Sequence, residues 1–320
     1  MNDSASRFSA DHHGFYRNDC PFSPFIQELT TPLLEGSNVV LIRLPARLSD
    51  DLDWTKEMQL AGQIASSGRD ILWEIDLGLS TFQFSPDDSA AFYSFSVAIE
   101  EFSAHIWPNL QKHTFGVALY RGLFQPSHCF PFFLWEAAFS DWSRDLSFNM
   151  TYDLYCAQVL AEYLHRLISF LPDDVLPFAL IDVRGIGSAA KMAQLFSQER
   201  FEHIHLILKG ALCPFQGISW DDSQSAQGWL SKGVRIDLPA IGIYLPSDSY
   251  MDAALIEQLD GVIADLKAAQ TAFRIIGEEK LTEQWDGLDK LIVPQQAVSS
   301  QGKRKLQGFI AAGGIVSIVS

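Results

Sequence analysis

The chain has 320 residues, of which 48% are hydrophobic and 19% are charged, so it can bury a sizeable core, and this composition argues against global disorder. Its formal net charge of −16 argues against nucleic acid or an anionic membrane as a partner, because both require a basic surface. Small neutral or cationic ligands and protein partners remain open.

Cysteine usage gives no sign of a metal or redox centre. The four cysteines form no C-x-x-C pair, and none stands at zinc-ligand spacing from a histidine. The polar amino terminus lacks the apolar core of a signal peptide, and no apolar run reaches the length needed to span a bilayer. The sequence therefore predicts a cytoplasmic protein without a cofactor.

Along the chain, residues 1–38 predict an irregular lead-in that packs across the bottom of a barrel. Apolar strand-like runs then alternate with helical patterns. Five strands are predicted before residue 240: Val39–Leu44, Ile71–Leu77, Phe115–Arg121, Phe178–Arg184 and His203–Lys209. The helices predicted to follow or connect them are Asp51–Ser66, Ser89–Leu110, Tyr152–Leu171 and Ser188–Phe201. Such alternation predicts a parallel sheet, because each helical crossover returns the chain to the same edge.

An aromatic-rich insert, Gly122–Asn149, interrupts this rhythm. Long aromatic loops on α/β scaffolds often line ligand sites, but this one can equally cover the barrel mouth or form a subunit contact. Trp135 and Glu136 are candidate ligand-binding residues, because sugars stack on aromatic faces and an apolar neighbour raises the pKa of a carboxyl group. The competing interpretation is a hydrophobic loop that carries solvated acids.

The last third of the chain predicts a second parallel sheet. Its strands are predicted at Ile241–Leu245, Phe273–Ile276, Lys290–Val293 and Ile315–Val319. Its helices are predicted at Met251–Ala269, Leu281–Trp285 and Ser299–Ala312. The stretch RIDLPA, residues 235–240, precedes a fresh strand and is the best boundary, which gives domains 1–236 and 237–320.

This last third resembles the degenerate glutamine-amidotransferase-like module, flavodoxin-like in fold, that follows the catalytic barrel in some β-galactosidases. The resemblance rests on the strand IGIYLP, the helix Asp252–Ala269, and the phrases DGLDKLIVP and FIAAGGIVSIV. Amidotransferases carry a nucleophilic cysteine after a strand, whereas Val293 and Pro294 are followed here by glutamines. The resemblance therefore implies a module without thiol chemistry, and a possible homo-oligomer, because the module trimerises in its relatives.

Because a catalytic barrel precedes this module in its relatives, the first two-thirds of the chain are taken to resemble a glycoside-hydrolase (β/α) barrel, complete or partial. The fold class is therefore α/β: a barrel-like or partial TIM barrel, followed by a flavodoxin-like parallel sheet. The acid/base Asn-Glu pair usual after strand four of that family is absent, and Asp182, Val183 and Arg184 stand there instead. A single continuous barrel that includes the later strands is a further possibility.

Charged residues recur at the carboxyl ends of the predicted strands, where parallel α/β folds place their sites. Glu74 and Asp182 are the candidate catalytic carboxylates. The candidate ligand-binding residues at strand ends are Arg43, Asp76, Arg121, Arg184 and Lys209. By strand alternation Glu74 and Asp76 share a face. These charges form either a polar pocket for a sugar or an acidic metabolite, or a network of ion pairs that caps the barrel mouth.

Two functions follow. The first is a glycoside-hydrolase-like carbohydrate-active protein that binds or hydrolyses a small sugar at the strand ends. The second is a non-catalytic binding or assembly protein that keeps the scaffold and has lost the chemistry. The missing Asn-Glu pair favours the second, and the charged strand ends favour the first.

Overall fold

A computed structural model describes most of the chain: residues 8–11, 14–29, 35–46, 52–76, 89–124, 140, 151–183, 185–197, 199–209, 218–220, 231–232, 239–295 and 297–319. The predicted α/β class is confirmed, because strands and helices form a barrel that is followed by a separate parallel sheet. No helix within these ranges is long and apolar enough to cross a membrane.

The first described element is a small antiparallel sheet. Its strands are β1 (Phe8–Asp11), β2 (Gly14–Arg17) and β3 (Cys20–Phe22). Asn18 and Asp19 join the last two strands and have φ angles of +50° and +61°. Two successive positive φ angles are what a type I′ hairpin turn requires, and Asn and Asp tolerate them better than other non-glycine residues.

Eight further strands form a closed barrel. They are β4 (Phe25–Glu28), β5 (Val39–Pro45), β6 (Asp70–Asp76), β7 (Thr114–Leu123), β8 (Pro177–Asp182), β9 (His205–Lys209), β10 (Ile218–Trp220) and β11 (Ser231–Lys232). Their order around the barrel is β10-β11-β4-β5-β6-β7-β8-β9. Strands β4 to β10 run parallel to their neighbours, and β11 closes the barrel antiparallel to both β10 and β4. The five predicted strands are confirmed as β5 to β9.

Helices connect the barrel strands on the outside. They are α1 (Thr55–Ser66), α2 (Ser89–Glu101), α3 (Trp107–Leu110), α4 (Tyr152–Ile168) and α5 (Ala189–Leu195). A π-helical turn at Phe102–Ile106 joins α2 to α3 just before Pro108, which has no backbone N–H for the ladder. Helix α1 begins four residues later than predicted, where the Asp53 carboxylate accepts a hydrogen bond from the Thr55 backbone N–H at 3.1 Å.

Strand alternation divides the barrel core into two layers. Val40 and Ile42 point outward into the layer beneath the helices, whereas Val39 and Leu41 point into the barrel. The bottom of the interior is closed by β1 to β3, whose Phe8, Phe15 and Phe22 rings lie 5.2–5.6 Å from that of Phe115. The predicted packing of the lead-in across the bottom of the barrel is confirmed for these residues. The prediction that residues 1–38 are irregular is wrong, because β1 to β4 lie within them.

The carboxyl-terminal sheet is separate from the barrel. It contains β12 (Ile241–Leu245), β13 (Arg274–Gly277), β14 (Lys290–Pro294) and β15 (Ile315–Val319), all parallel and in the order β13-β12-β14-β15. Its helices are α6 (Ala253–Ala268), α7 (Leu281–Gln284) and α8 (Ser300–Ala311). The possibility of one continuous barrel through these strands is therefore wrong. The boundary at residue 236 lies outside the described residues and stays a prediction.

Helix α5 joins the barrel to the second sheet. Ala189, Ala190 and Ala193 pack in the apolar cluster that contains Leu259 of α6. The backbone N–H of Ala190 also donates to Asp260 Oδ1 at 2.8 Å. Small side chains allow this close approach of the two helices.

Candidate functional site

Charged side chains gather at the carboxyl ends of β4 to β7, at the mouth of the barrel. Along β5 and β6 the inward positions are apolar at Leu41 and Leu72 and become charged toward the end of the strand, at Arg43 and Glu74. Because side chains alternate along a strand, the same face that fills the barrel floor carries these charges at its top.

The described charges form one connected network, referred to below as the mouth network. Arg43 Nε lies 3.1 Å from Glu74 Oε1 and 3.1 Å from Asp76 Oδ2. Arg121 Nη1 lies 2.9 Å from Glu74 Oε2 and 2.9 Å from Glu28 Oε1. Both oxygens of Glu74 are thus held by guanidinium groups. The predicted common face of Glu74 and Asp76 is confirmed, since both contact Arg43.

Burial within the mouth network is uneven. The Glu74 side chain is 3% exposed, that of Arg121 is 20% exposed, and that of Arg43 is 50% exposed. Burial alone would lower the pKa of Arg121, but its hydrogen bond to Glu28 and the charge of Glu74 outweigh burial and raise that pKa above its ordinary value. Glu74 and Arg121 are therefore the buried centre of the network, and Arg43 is its solvent-facing rim.

Glu28 belongs to this network although no sequence pattern indicated it. Its strand, β4, has four residues and follows a stretch of scattered aromatics and prolines. The parallel pairing of β4 with β5 places Glu28 level with Leu41. Glu28 is therefore on the strand next to the one that carries Arg43. The hydrogen bond from Arg121 to Glu28 joins residues 93 positions apart in the sequence, so no local sequence pattern indicates it.

Asp182, the second candidate carboxylate, stands at a different height in the barrel. Glu74 is level with Ala118 on β7, and Ala118 is level with Phe178 on β8. Asp182 is four residues beyond Phe178, which is roughly 13 Å further along the strand, and the two intervening strand spacings add roughly 10 Å sideways. Glycosidase carboxyl pairs stand about 5–9.5 Å apart, so the two side chains would have to lean strongly toward each other. The catalytic pairing of Glu74 with Asp182 stays a prediction.

The remaining candidates are only partly described. Trp135, Glu136 and Arg184 lie outside the described residues. Lys209 has a described backbone, which is level with Asp182 across β8 and β9, but nothing is described of its side chain. Most of the aromatic insert is likewise outside the described ranges.

The other end of the barrel holds a buried carboxylate that the sequence did not single out. Asp70 begins β6, is 1% exposed, and lies 3.0 Å from Arg17 Nη2 of β2. Burial raises the pKa of Asp70 to about 6, against the lowering effect of Arg17. Asp70 lies at the amino-terminal end of the barrel strands, opposite the end that carries the mouth network.

Histidines do not form a metal site in the described part of the chain. His203 precedes β9 with a φ of +64°, so it does not share a strand face with His205, contrary to the predicted strand boundary. Burial lowers the pKa of His205 to about 4, and its ring packs 5.2 Å from Phe15 and 5.3 Å from Phe178. Among the described residues no group of three or more His, Cys, Asp or Glu side chains could hold a metal ion.

Comparison with known proteins finds likeness in structure and none in sequence. No protein-family model and no curated protein sequence matches the chain. Among solved structures, the exo-beta-1,4-mannosidase Op5Man5 from Opitutaceae bacterium strain TAV5 is similar over 99% of this chain and 79% of its own, with a TM-score of 0.52 and 9% sequence identity. The chain has a glycoside-hydrolase-like fold. At this identity the likeness concerns the fold alone.

Two other solved structures are similar over 89% of this chain and 74% of theirs, each at 9% identity. They are a beta-glucosidase from Thermotoga maritima in complex with noeuromycin and the virulence factor SghA from Agrobacterium tumefaciens, with TM-scores of 0.30 and 0.29. Scores this low support no inference. The likeness in fold rests on the mannosidase, and it carries no information on what the mouth network does.

Proposed function

We propose that this protein is a glycoside-hydrolase-like carbohydrate-active protein that binds or hydrolyses a small sugar at the carboxyl ends of its barrel strands. The observation that carries the proposal is the mouth network, which sets carboxylates and guanidinium groups on the inner face of such a barrel. Both group types hydrogen-bond sugar hydroxyls, and ligand sites of parallel barrels lie at this end. The net charge of −16 favours a neutral or cationic ligand over an anionic one.

In this proposal Glu74 and Asp182 supply the carboxylates. The ligand is oriented by residues at the strand ends and in the aromatic insert. These proposed ligand-binding residues are Arg43, Asp76, Arg121, Trp135, Glu136, Arg184 and Lys209. Arg43 and Glu28 have the most exposed side chains of the mouth network, at 50% and 35%, and are its most accessible members for a ligand that enters the mouth.

A second candidate function, binding without catalysis, is favoured by the state of Glu74. Its side chain is 3% exposed, and both carboxylate oxygens are engaged by Arg43 and Arg121. A general acid or nucleophile must reach the scissile bond, so catalysis by Glu74 requires the mouth network to rearrange. Binding at the rim requires no such change.

We further propose that the carboxyl-terminal sheet is a flavodoxin-like, non-catalytic module of the amidotransferase type. Numbered along the chain, its strands β12 to β15 lie in the order 2-1-3-4. This order agrees with the first four strands of the flavodoxin-like 2-1-3-4-5 arrangement. The boundary near residue 236, like the cytoplasmic location, remains part of this proposal.

Ligand-observed NMR with a panel of simple sugars, run beside hydrolysis assays on chromogenic glycosides, tests the proposal. We expect at least one sugar to bind, and R43Q to weaken that binding at least tenfold. The matched control is D70N, which also removes a charge from the barrel but at the opposite end, and it should leave binding unchanged.

The outcomes separate the two functions. Hydrolysis that is lost in both E74Q and D182N supports catalysis, whereas sugar binding without hydrolysis supports the non-catalytic alternative. A protein that binds no sugar at all, or whose binding is equally weakened by R43Q and D70N, contradicts a carbohydrate site at the barrel mouth.

A further inference from the structure

The outermost strand of the carboxyl-terminal sheet, β15, is apolar and open on one side. In the described part of the chain it pairs with β14 alone. Its sequence, IVSIV, contains no charge and no proline. Natural proteins usually protect such an edge with charges, prolines or bulges, because its free backbone groups otherwise pair with another strand. An edge without these features points to a strand that is covered by a partner.

Exposed apolar side chains concentrate at this same edge. Among the described residues the large hydrophobic side chains that are exposed number five, and three of them lie within the last eleven positions of the chain: Ile310, Ile315 and Ile318. Ile315 is 61% exposed and Ile318 is 64% exposed, and they point to opposite faces of the sheet. Ile310, which is 53% exposed, lies on α8, the helix that immediately precedes β15 in the chain.

The backbone of β15 defines which groups are free. The N–H of Ile315 donates to Asp289 on the β14 side, and the carbonyl of Val319 accepts from Gln295 on that same side. N–H and C=O groups of successive strand residues alternate in direction, so those of Val316 and Ile318 point to the open edge.

We propose that β15 pairs with β15 of a second copy of this chain, antiparallel and about a two-fold axis at Ser317, so that the sheet continues across a dimer. The free groups match this register. Val316 of each copy exchanges two backbone hydrogen bonds with Ile318 of the other copy, which gives four bonds in all. Ser317 then faces its own counterpart as a non-hydrogen-bonded pair, where side chains approach most closely and a small residue fits.

A second copy suits this edge better than an unrelated partner. In the proposed register Ile315 faces Val319 and Val316 faces Ile318, so every cross-strand pair except the central serines is apolar. A chain with a net charge of −16 repels its own copies over most of its surface. The five residues of β15 carry no charge, so pairing two copies of β15 places no like charges opposite each other within the strand pair. A two-fold interface requires this kind of self-complementarity.

The area of the proposed contact sets the expected strength of the dimer. The exposed apolar surface of β15 together with one strand edge is on the order of a few hundred Å² and falls short of the roughly 800 Å² per partner that a stable interface buries. We therefore expect a weak dimer that dissociates on dilution, with a Kd between the micromolar and millimolar ranges.

Sedimentation of the full chain over a range of concentrations tests the dimer. Wild type should shift from monomer toward dimer as concentration rises, and I315K/I318K should remain monomeric throughout. Y93K is the matched control, because Tyr93 is 69% exposed but lies on α2 of the barrel, and it should dimerise as wild type does.

The register is tested by cross-linking. S317C, in a background where Cys20, Cys129 and Cys213 are replaced by serine, should form a disulfide-linked dimer under oxidised glutathione, whereas I315C at the end of the strand should not. This measurement stands even if the double lysine variant fails to fold. A monomeric wild type, a trimer, a dimer that survives I315K/I318K, or S317C that fails to cross-link would each overturn the proposed pairing.

Discussion

At the scale of single residues, Glu74 shows how one buried charge depends on its partners. It is the least exposed member of the mouth network, and Arg121 holds one of its oxygens while also binding Glu28. Removing one partner of a buried ion pair costs more than removing a partner from solvent-exposed charges, because the remaining charge stays out of water. Position within the network, rather than charge alone, should therefore determine the effect of a substitution.

Substitution of the two arginines tests this grading. We expect R121M to lower the free energy of unfolding by about 3–5 kcal/mol, since it leaves the Glu74 charge buried and half unpaired. R43M should cost only about 1 kcal/mol, because the Arg43 side chain is 50% exposed and solvent screens its ion pairs. Urea unfolding at neutral pH measures both. Equal losses in the two variants would contradict the assignment of a buried centre and an exposed rim.

Asp70 gives a residue-scale prediction about pH. Burial raises its pKa in the folded protein to about 6, above the ordinary aspartate value, so the folded state binds the proton more tightly than the unfolded state does. Its contribution to stability is therefore fully present below about pH 4 and is lost as the pH rises through about 6. At about 1.4 kcal/mol per pKa unit, this loss is on the order of 3 kcal/mol.

The variant D70N cannot titrate at this position and isolates that contribution. We expect the free energy of unfolding of wild type, relative to D70N, to fall between pH 4 and pH 6.5 and to be flat above that range. Denaturant titrations of both proteins at matched pH values give this difference directly. A difference that rises with pH instead would mean that Arg17 outweighs burial and lowers the pKa of Asp70.

At the scale of elements, the length of a strand determines whether it could be predicted from the sequence. The strands β5 to β9 are runs of five to ten mostly apolar residues separated by helices, and that pattern is typical of buried parallel strands. β4, β10 and β11 have four, three and two residues, too few for any periodicity to emerge. Closure of the barrel, and with it the position of Glu28, depends on these short strands and on long-range pairing.

Two helical glycines give an element-scale prediction, because a Cβ atom would meet buried side chains at one of them and open space at the other. Gly302 is in the first turn of α8, and a Cβ there would clash with the Tyr244 hydroxyl and lie 2.6 Å from Glu278 Oε2. Both groups are buried, and the Glu278 carboxylate also accepts a hydrogen bond from the Ser299 hydroxyl that caps the helix. Gly261 is in α6 with nothing within 4 Å of the same position.

We therefore expect opposite signs from the same substitution. G261A should stabilise the protein by about 0.5–1 kcal/mol through helix propensity alone. G302A should destabilise it by at least about 1 kcal/mol, because the clash with a buried hydrogen-bonded group outweighs that gain. Thermal unfolding of the two variants beside wild type decides the matter, and stabilisation by G302A would show that the Tyr244 and Glu278 side chains move aside freely.

At the scale of the whole molecule, one short helix belongs to two cores. Met192 and Leu195 of α5 pack in the outer core of the barrel, while Ala190 and Ala193 pack in the core beneath the second sheet. Arg200, just after this helix, forms an ion pair with Asp248 beyond the end of β12. A structural element shared in this way couples the stability of the two sheets, because neither core is complete without it.

This coupling predicts that the intact chain unfolds in a single calorimetric transition although it contains two separate sheets. A193D places a charge in the contact between α5 and α6, where desolvation without a partner is costly, and should split the transition into two. A311D adds the same charge at an exposed position of α8 and should leave one transition near the wild-type temperature. Two transitions already present in wild type would mean that the α5 contact is too weak to join the sheets, and would favour independent folding on either side of residue 236.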